Sequence, residues 1–351
     1  MEMEKTDIKS LTLKELEQVL LEMGEKKFRA KQIYQWLHQK QVKTFGEMTN
    51  LSAALREKLG EVGKIATVET ELRLESKVDG TRKFLFRLED GNCVETVWME
   101  YRHGPSLCIS TQVGCRMGCR FCASTLGGLV RDLTPGEMLG EVYEAQRQME
   151  RPISSLVLMG IGEPLDNLQN VLAFLRILSS EEGQNLSLRH VSLSTCGLVD
   201  GIRTLMKERL GLTLSISLHG ADDETRSGIM PVNRRYPISE LMEVCREYFQ
   251  VTGRRISYEY ALIDGVNDSE AKARELAGLL RGQNCHVNLI PVNPVAERET
   301  KRSSRAAVER FAQLLGELGI NATVRRELGS DIAAACGQLR RAGRPSPPLG
   351  G

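Results

Sequence analysis

The stretch GCRMGCRFCA, residues 114–123, decides the fold. It places Cys115, Cys119 and Cys122 at positions i, i+4 and i+7, with no histidine beside them. A structural zinc site or a fully ligated iron–sulfur cluster usually takes four protein ligands. Three thiolates on a [4Fe–4S] cluster leave one iron open, and a substrate or cofactor can bind that iron directly. The spacing therefore favours a cluster with an open iron over a zinc site completed by a distant ligand, or over thiols that bind nothing.

The composition is that of a soluble globular protein. The 351 residues are 41% hydrophobic and 26% charged, with a net charge of +1, which is ordinary for one large domain with a smaller one attached. No apolar run approaches the roughly 18 residues that indicate a membrane span. The opening MEMEKTDIKS lacks the apolar core of a signal peptide, so we expect a cytoplasmic protein. In that reducing compartment, cysteines indicate metal ligands, catalytic thiols or core residues rather than a disulfide framework.

The spacing of apolar residues changes along the chain. Residues 11–62 carry them at three- and four-residue intervals, which predicts helices. Residues 66–100 alternate between apolar and polar around two Asp-Gly turn signals, which predicts a small three-stranded meander. The residues from Thr134 to Glu137 read as a capping box with proline at the first helical position, which predicts that a helix begins there.

From residue 106 onward, strand-like runs alternate with helical patterns. The runs are 106–111, 154–160, 190–196, 212–219, 256–263 and 286–292. This repetition predicts an α/β fold whose parallel sheet forms a partial (βα)6 TIM-like barrel, with active residues at the C-terminal ends of the strands. A last strand over 322–328 leads to Cys336.

These patterns divide the chain into four parts. The predicted parts are a helical N-terminal domain over 1–65, a β-meander over 66–104, a barrel with the Cys336 segment over 105–341, and a tail over 342–351. The tail is rich in proline and glycine, so we expect it to be disordered.

The cysteine spacing, the aromatic Phe121 before the last cysteine and the strand–helix alternation resemble the radical S-adenosylmethionine (SAM) superfamily. The resemblance covers residues 106–293. It implies a [4Fe–4S] cluster held by the three cysteines, with the amino and carboxylate groups of SAM on the open iron. One electron from the cluster then cleaves the sulfonium and yields a 5′-deoxyadenosyl radical.

Further motifs resemble one family within that superfamily, the RlmN family, in order and across nearly the whole chain. They are MGIGEPLDN (159–167), LSTCG (193–197), SLHGADDETR (217–226), IPVNP (290–294) and DIAAACGQL (331–339). That family methylates C2 of an adenine in 23S ribosomal RNA near the peptidyl-transferase centre. Some members also modify the adenosine 3′ of the anticodon in certain tRNAs. A helical N-terminal domain ahead of the barrel is also this family's layout, and we expect it to dock RNA.

The resemblance implies a relay through cysteine, because C2 of adenine has no nucleophilic electrons for an ordinary methyl transfer. Cys336 takes a methyl group from one SAM, and the radical from a second SAM removes a hydrogen from it. The carbon radical adds to C2, Glu95 removes the C2 proton, and the Cys108 thiol attacks the Cys336 sulfur to release the product. The implied SAM contacts are Gly162, Glu163, Ser194, Ser217, Leu218, His219 and Asn293.

Other functions remain open at this point. Cfr-type relatives methylate C8 of the same base, and the motifs alone do not decide between the two carbons. A non-catalytic iron–sulfur protein that binds RNA or senses redox state would need neither Cys336 nor Cys108. In isolation both cysteines read as buried core thiols, and Glu95 reads as a strand charge. The enzyme hypothesis also implies a flavodoxin-like electron donor and a monomer.

Overall fold

The structure is a computed structural model that describes residues 5–339. The predicted tail over 342–351 lies outside the described residues. The N-terminal part holds three helices, α1 (Leu13–Glu22), α2 (Phe28–His38) and α3 (Ala53–Val62). Strand β1 (Thr6–Asp7) precedes them and pairs in parallel with β2 (Gly63–Lys64), which follows them. No helix among residues 5–339 is both long and apolar enough to cross a membrane.

Local signals set where these helices begin. Thr12 caps α1 through a capping box with Glu15, and Ser52 caps α3 by accepting from the Leu55 backbone N–H. Each cap satisfies an amide at the start of the helix that has no intrahelical partner. Leu16 and Leu20, one turn apart on α1, are fully buried, so the helix packs through an apolar stripe.

The rest of the chain alternates strands and helices. The strands are β3 (Glu69–Glu75), β4 (Arg82–Arg87), β5 (Cys93–Tyr101), β6 (Gly104–Cys108), β7 (Gln112–Gly114), β8 (Leu129–Asp132), β9 (Ser155–Leu158), β10 (Val191–Thr195), β11 (Thr213–Ser217), β12 (Ile256–Leu262), β13 (Cys285–Pro291) and β14 (Ala322–Val324). The helices are α4 (Pro135–Met149), α5 (Leu168–Ser179), α6 (Val199–Lys207), α7 (Asp223–Ile229), α8 (Ile238–Thr252), α9 (Glu270–Leu280) and α10 (Arg305–Glu317).

One ten-stranded sheet runs in the order β14-β13-β12-β11-β10-β9-β6-β5-β4-β3. The strands from β6 through β9 to β14 are parallel, whereas β3, β4, β5 and β6 pair antiparallel. The six predicted runs correspond to β6 and β9–β13, so the α/β prediction with a parallel barrel sheet is confirmed. Helices cover this sheet, and every residue of β12 is buried, as expected for a parallel strand.

The meander is continuous with the barrel. Strand β5 pairs with β6 in a register that sets Val97 opposite Cys108, so β3–β5 extend the barrel sheet at one edge. The side chains of the meander's inner face therefore belong to the same surface as those of β6. This continuity brings residues 82–99 to the site described below.

The cysteine loop lies in a hairpin that the sequence patterns did not predict. Strands β7 and β8 pair antiparallel on either side of residues 115–128, whereas the sequence predicted only the strand run over 106–111 before the loop and the helix from Thr134 after it. Strands of three and four residues are too short to show a period. The capping box at the start of α4 is confirmed, with Thr134 as N-cap and Glu137 closing the box.

The N-terminal part packs closely on α4. A Cβ at Gly136 would lie 2.1 Å from Asp7 Oδ2, and one at Gly140 would lie 2.9 Å from a Val68 methyl. These two positions, one helical turn apart, must be small for the segments to approach. Behind them, the buried His38 Nδ1 lies 2.9 Å from Tyr143 Oη, and burial lowers the pKa of His38 to about 3. The interface is therefore tight and holds a neutral histidine.

Candidate active site

A cavity opens at the C-terminal ends of the parallel strands, where this fold class places its active sites. The sequence-predicted residues that line it are Cys115, Cys119, Cys122, Gly162, Glu163, Ser194, Ser217, His219, Asn293 and Cys336. Leu218 packs in the main core instead. Glu95 and Cys108 are buried beside the cavity rather than in its wall.

The cysteine loop is shaped by glycines and held by an arginine. Gly114 has a φ of +81°, and a Cβ there would lie 2.0 Å from the Gly128 carbonyl oxygen, so only glycine fits. Arg298 donates to the Cys122 carbonyl (3.2 Å) and to Thr125 Oγ1 (2.7 Å). Thr125 Oγ1 in turn donates to the Cys119 carbonyl (3.1 Å). These bonds fix the loop backbone while its thiols line the cavity.

The three thiols suit a soft cation shared among them. Burial raises the pKa of Cys115 to about 12 and also raises the pKa of Cys119 and of Cys122. A bound cation would stabilise the thiolate form of these side chains. Among residues 5–339 no three His, Cys, Asp or Glu side chains converge on a single ion. A [4Fe–4S] cluster does not require that, since its thiolates bind different irons. An all-thiol set spread along one wall fits such a cluster.

Glu163 is fixed by backbone amides at the turn after β9. Its Oε2 accepts from the Cys196 N–H (2.7 Å) and its Oε1 from the Leu165 N–H (3.0 Å), while burial raises its pKa. Gly162 before it has a φ of +112°, and a Cβ there would lie 2.7 Å from Gln112 Cβ. Glycine thus lets the chain turn tightly enough to aim Glu163 at the cavity.

A neutral histidine and two serines stand at the ends of the next strands. His219 Nδ1 accepts from the Ala261 N–H (2.9 Å), so the ring proton is on Nε2. Burial, aided by nearby Arg226, lowers the pKa of His219 to about 3, and its ring meets Phe121 edge-on at 4.9 Å. Ser194 Oγ and Ser217 Oγ lie 3.3 Å apart. These groups offer polar contacts without charge.

Arg226, the last residue of the SLHGADDETR motif, stabilises the backbone where β10 and β11 end. Its fully buried guanidinium donates to the carbonyls of Leu218 (3.0 Å) and Cys196 (2.6 Å) and to Asn233 Oδ1 (2.8 Å). A buried cation is stable only when its donors are satisfied in this way. The motif therefore includes an arginine that positions strand ends, a role that sequence reasoning did not assign.

Arg226→Met should lower the free energy of unfolding by about 3–5 kcal/mol, because several buried acceptors would lose their donor. Urea unfolding of the anaerobically purified protein measures this. Arg234→Met, at an exposed arginine nearby, should change stability by less than about 0.5 kcal/mol. A loss below about 1 kcal/mol for Arg226→Met would contradict the stabilising role.

The Cys336 segment is fastened to the cysteine loop and to the end of β13. Asn293 Nδ2 donates to the Cys336 carbonyl (3.0 Å). The Ala123 N–H donates to the Gly337 carbonyl (2.8 Å), and Ser124 Oγ donates to the Leu339 carbonyl (2.7 Å). Cys336 is thereby held on the wall of the same cavity as the three cysteines.

Glu95 and Cys108 share the inner face of the extended sheet. Cys108 lies opposite Val97 on β5, and Glu95 lies two residues along the same strand. Burial, with a smaller effect from the neighbouring Cys336, raises the pKa of Cys108 to about 12. The Glu95 carbonyl accepts from Ser110 Oγ (2.9 Å). The structure thus places these two residues on one face of the sheet, with Cys108 near Cys336.

Sequence reasoning missed three charged side chains here. Glu259 and Arg325 line the cavity, with Glu259 Oε2 3.9 Å from an Arg325 Nη. The charge of the nearby Cys336 sulfur raises the pKa of Arg325. Lys83 Nζ lies 3.0 Å from Glu95 Oε1. Glu259 lies on β12, Lys83 lies on β4 and Arg325 directly follows β14, and nothing in these local sequences marks them as site residues, so only tertiary contacts single them out.

Comparisons with known proteins bear on this arrangement. Residues 6–65 match the family model of the ribosomal RNA large subunit methyltransferase N-terminal domain, and residues 109–277 match that of the radical SAM superfamily. A protein of Lachnoclostridium phytofermentans named probable dual-specificity RNA methyltransferase RlmN is 56% identical over 338 residues, which cover 96% of this chain and 95% of that protein. The chain belongs to the RlmN family.

Two further comparisons extend the RlmN-family match across the molecule. A protein of the same name from Alkaliphilus oremlandii is 55% identical over 97% of this chain and 98% of its own length. The crystal structure of a radical SAM methyltransferase from Sphaerobacter thermophilus superposes with a TM-score of 0.90 at 44% identity, covering 95% of this chain and 99% of that one. Membership in the radical SAM superfamily implies SAM and a [4Fe–4S] cluster as cofactors.

Proposed function

We propose that this chain methylates C2 of an adenine in 23S ribosomal RNA near the peptidyl-transferase centre, and the adenosine 3′ of the anticodon in some tRNAs. The observation that carries the proposal is the position of Cys336, which lines the same cavity as Cys115, Cys119 and Cys122. A radical enzyme that only cleaves SAM needs the three cysteines but no fourth thiol facing them. The relatives named dual-specificity RNA methyltransferase support RNA as the substrate.

The cavity residues divide between two cofactors. Cys115, Cys119 and Cys122 would hold the cluster. The SAM contacts would come from Glu163, fixed by backbone amides, and from the neutral polar groups at the strand ends. The family resemblance adds Leu218, which follows β11 between Ser217 and His219. When bound, these cofactors supply the methyl group and the 5′-deoxyadenosyl radical that the reaction needs.

Cys336 would act as the methyl carrier. Its Sγ takes up the methyl group and delivers the carbon to C2 of the RNA base. The bonds from Asn293, Ala123 and Ser124 hold its segment against the cysteine loop, so the carrier does not have to find the cavity from solution.

Glu95 and Cys108 would complete the turnover. The Glu95 carboxylate would accept the C2 proton, and its link through Lys83 to the Ala333 carbonyl ties it to the segment that carries Cys336. Cys108 Sγ then bonds to Cys336 Sγ as the bond between Cys336 Sγ and the carried carbon breaks, and the freed carbon takes up a proton to become the methyl group of the product. The bound cluster would supply the acceptor for the unpaired electron left by radical addition, and the disulfide is left for an external reductant. Because burial raises the pKa of Cys108 to about 12, the thiol must lose its proton within the site as it attacks.

The same proposal names the RNA-docking part, the electron donor and the cellular compartment. The N-terminal helical part would dock RNA, supported by exposed lysines at the start of α2, among them Lys26, Lys27 and Lys31, which can contact phosphates. A flavodoxin-like protein would donate the electron, and the enzyme would work as a monomer in the cytoplasm.

Mass spectrometry of nucleosides tests the proposal. Unmodified 23S rRNA is incubated anaerobically with reconstituted protein, reductant and SAM, and then digested. We expect 2-methyladenosine. Formation of 8-methyladenosine would support the Cfr-type alternative, and 5′-deoxyadenosine without any methylated adenine would overturn RNA methylation while leaving the radical chemistry in place. Absence of both products from a cluster-loaded protein would favour the non-catalytic iron–sulfur alternative.

A further inference from the structure

Lys83 connects two parts of the proposed reaction. Its Nζ lies 3.0 Å from Glu95 Oε1 and 3.2 Å from the Ala333 carbonyl oxygen, three residues before Cys336. The side chains of Lys83 and Glu95 are only 12% and 9% exposed. The ammonium thus joins the proposed base to the segment of the proposed methyl carrier.

The sheet register explains how Lys83 reaches Glu95. Lys83 on β4 lies opposite Val97 on β5, and Glu95 is two residues along β5 on the same face. Such diagonal neighbours are about 7–8 Å apart at their backbones, within reach of a long side chain. Val97 is in turn opposite Cys108 on β6. One row across three strands therefore carries the lysine and the second thiol, with the carboxylate beside them.

The turn between β3 and β4 also forms backbone-to-carboxylate hydrogen bonds with the Cys336 segment. The Lys77 N–H donates to Asp331 Oδ2 (3.0 Å), and the Gly329 N–H donates to Asp79 Oδ2 (2.9 Å). Gly329 has a φ of +63°, and a Cβ there would lie 2.9 Å from a Thr81 methyl, so the segment lies directly on the turn. We therefore expect the segment to keep these bonds, and those to the cysteine loop, in a variant that lacks the Lys83 ammonium.

Burying an ammonium group costs free energy, because charged and polar partners must offset the loss of its hydration. An apolar residue would suit packing at this position, where Leu85 on the same face follows two residues later. The presence of a lysine at this position therefore indicates that its positive charge is needed there. That charge faces a carboxylate whose proposed task is to take a proton.

We propose that Lys83 is a positioning residue for proton removal from the RNA adduct, holding the Glu95 carboxylate beside the segment that carries Cys336. This inference rests on the proposed function. In the step concerned, the C2–H bond breaks, the proton moves to the Glu95 carboxylate, and the bonding pair stays on the adenine ring. Lys83 does not line the cavity. It orients the carboxylate that does the chemistry.

The test follows the covalent Cys336–RNA adduct in single-turnover reactions under anaerobic conditions. Peptide mass spectrometry measures S-methylation of Cys336, and denaturing gels measure the decay of the adduct. In the Lys83→Met variant, S-methylation of Cys336 should stay within twofold of the wild-type level. Release of the adduct should be at least tenfold slower than in the wild type. Lys83→Arg, which keeps the charge, should restore most of the release rate and also serves if Lys83→Met folds poorly.

Two controls separate positioning from general damage. Arg305→Met removes a cation from an exposed pair with Glu309 on α10 and should release the adduct at the wild-type rate. In a Glu95→Gln background, Lys83→Met should slow release no further, because residues that act through one another are not additive. Additive slowing, or wild-type release by Lys83→Met, would overturn the inference. Loss of Cys336 methylation in Lys83→Met would also overturn it, by showing that Lys83 only shapes the segment.

The proposed function and the role of Lys83 can be contradicted separately. If the wild-type protein methylates neither Cys336 nor RNA, the proposed function is wrong. If the wild type works and Lys83→Met releases its adduct normally, the function stands and only the role of Lys83 is lost.

Discussion

Cys336→Ala should abolish RNA methylation, with a loss on the order of a thousandfold or more, as expected when a covalent nucleophile is removed. The reason is that Cys336, the proposed methyl carrier, lies on the segment that is hydrogen-bonded to the cysteine loop. Nucleoside mass spectrometry after anaerobic reaction with 23S rRNA measures the loss. The iron content should match that of the wild type, because the substitution leaves Cys115, Cys119 and Cys122 in place.

Cys285→Ala is the matched control for this substitution. Cys285 is half-buried at the start of β13 and does not line the cavity, so its loss should leave methylation within about twofold. Product formation by Cys336→Ala above about a tenth of the wild-type level would contradict the relay through Cys336 and would point to another carrier, such as Cys196, which also lines the cavity.

Cys108→Ala should stop the reaction one step later and trap the enzyme on its RNA. Cys336 would still take up the methyl group and bond to the base, but no thiol would attack its sulfur. We expect free product to fall by at least about a hundredfold, and a covalent protein–RNA species to accumulate that survives denaturation. A denaturing gel with labelled RNA measures this species. Glu95→Gln should give the same species, since proton removal also precedes release.

Cys108→Ser separates chemistry from packing. Serine nearly matches the volume of the buried thiol but is a poor nucleophile toward sulfur, so it should trap the same adduct. If Cys108→Ser turned over normally, or if Cys108→Ala formed no adduct while Cys336 was still methylated, Cys108 would not be the resolving thiol.

Local patterns carried much of the fold prediction. The strand runs later seen as β6 and β9–β13 could be read from the sequence because each is a short apolar stretch next to a helical repeat. The capping box at Thr134 and the three-cysteine spacing are equally local. These signals depend on residues within about two helical turns of each other, which is the range that a single sequence reveals.

The remaining features depend on residues far apart in the chain. Lys83 meets the Ala333 carbonyl across 250 positions, and the continuity of the meander with the barrel depends on the β5–β6 register. Arg226 could be quoted within a motif, but its bonds to the Cys196 and Leu218 carbonyls appear only after folding. The roles of Glu95 and Cys108 came from family resemblance, because their own strands give no sign of them.

The central claim is that the methyl carbon passes through Cys336 and loses a hydrogen there. The most direct test is a reaction with SAM carrying a trideuterated methyl group, followed by mass spectrometry of both products. The relay predicts 2-methyladenosine that retains two of the three deuterium atoms, with the third found in 5′-deoxyadenosine. Retention of all three in the methylated base would mean that an intact methyl group was transferred, and would contradict the account.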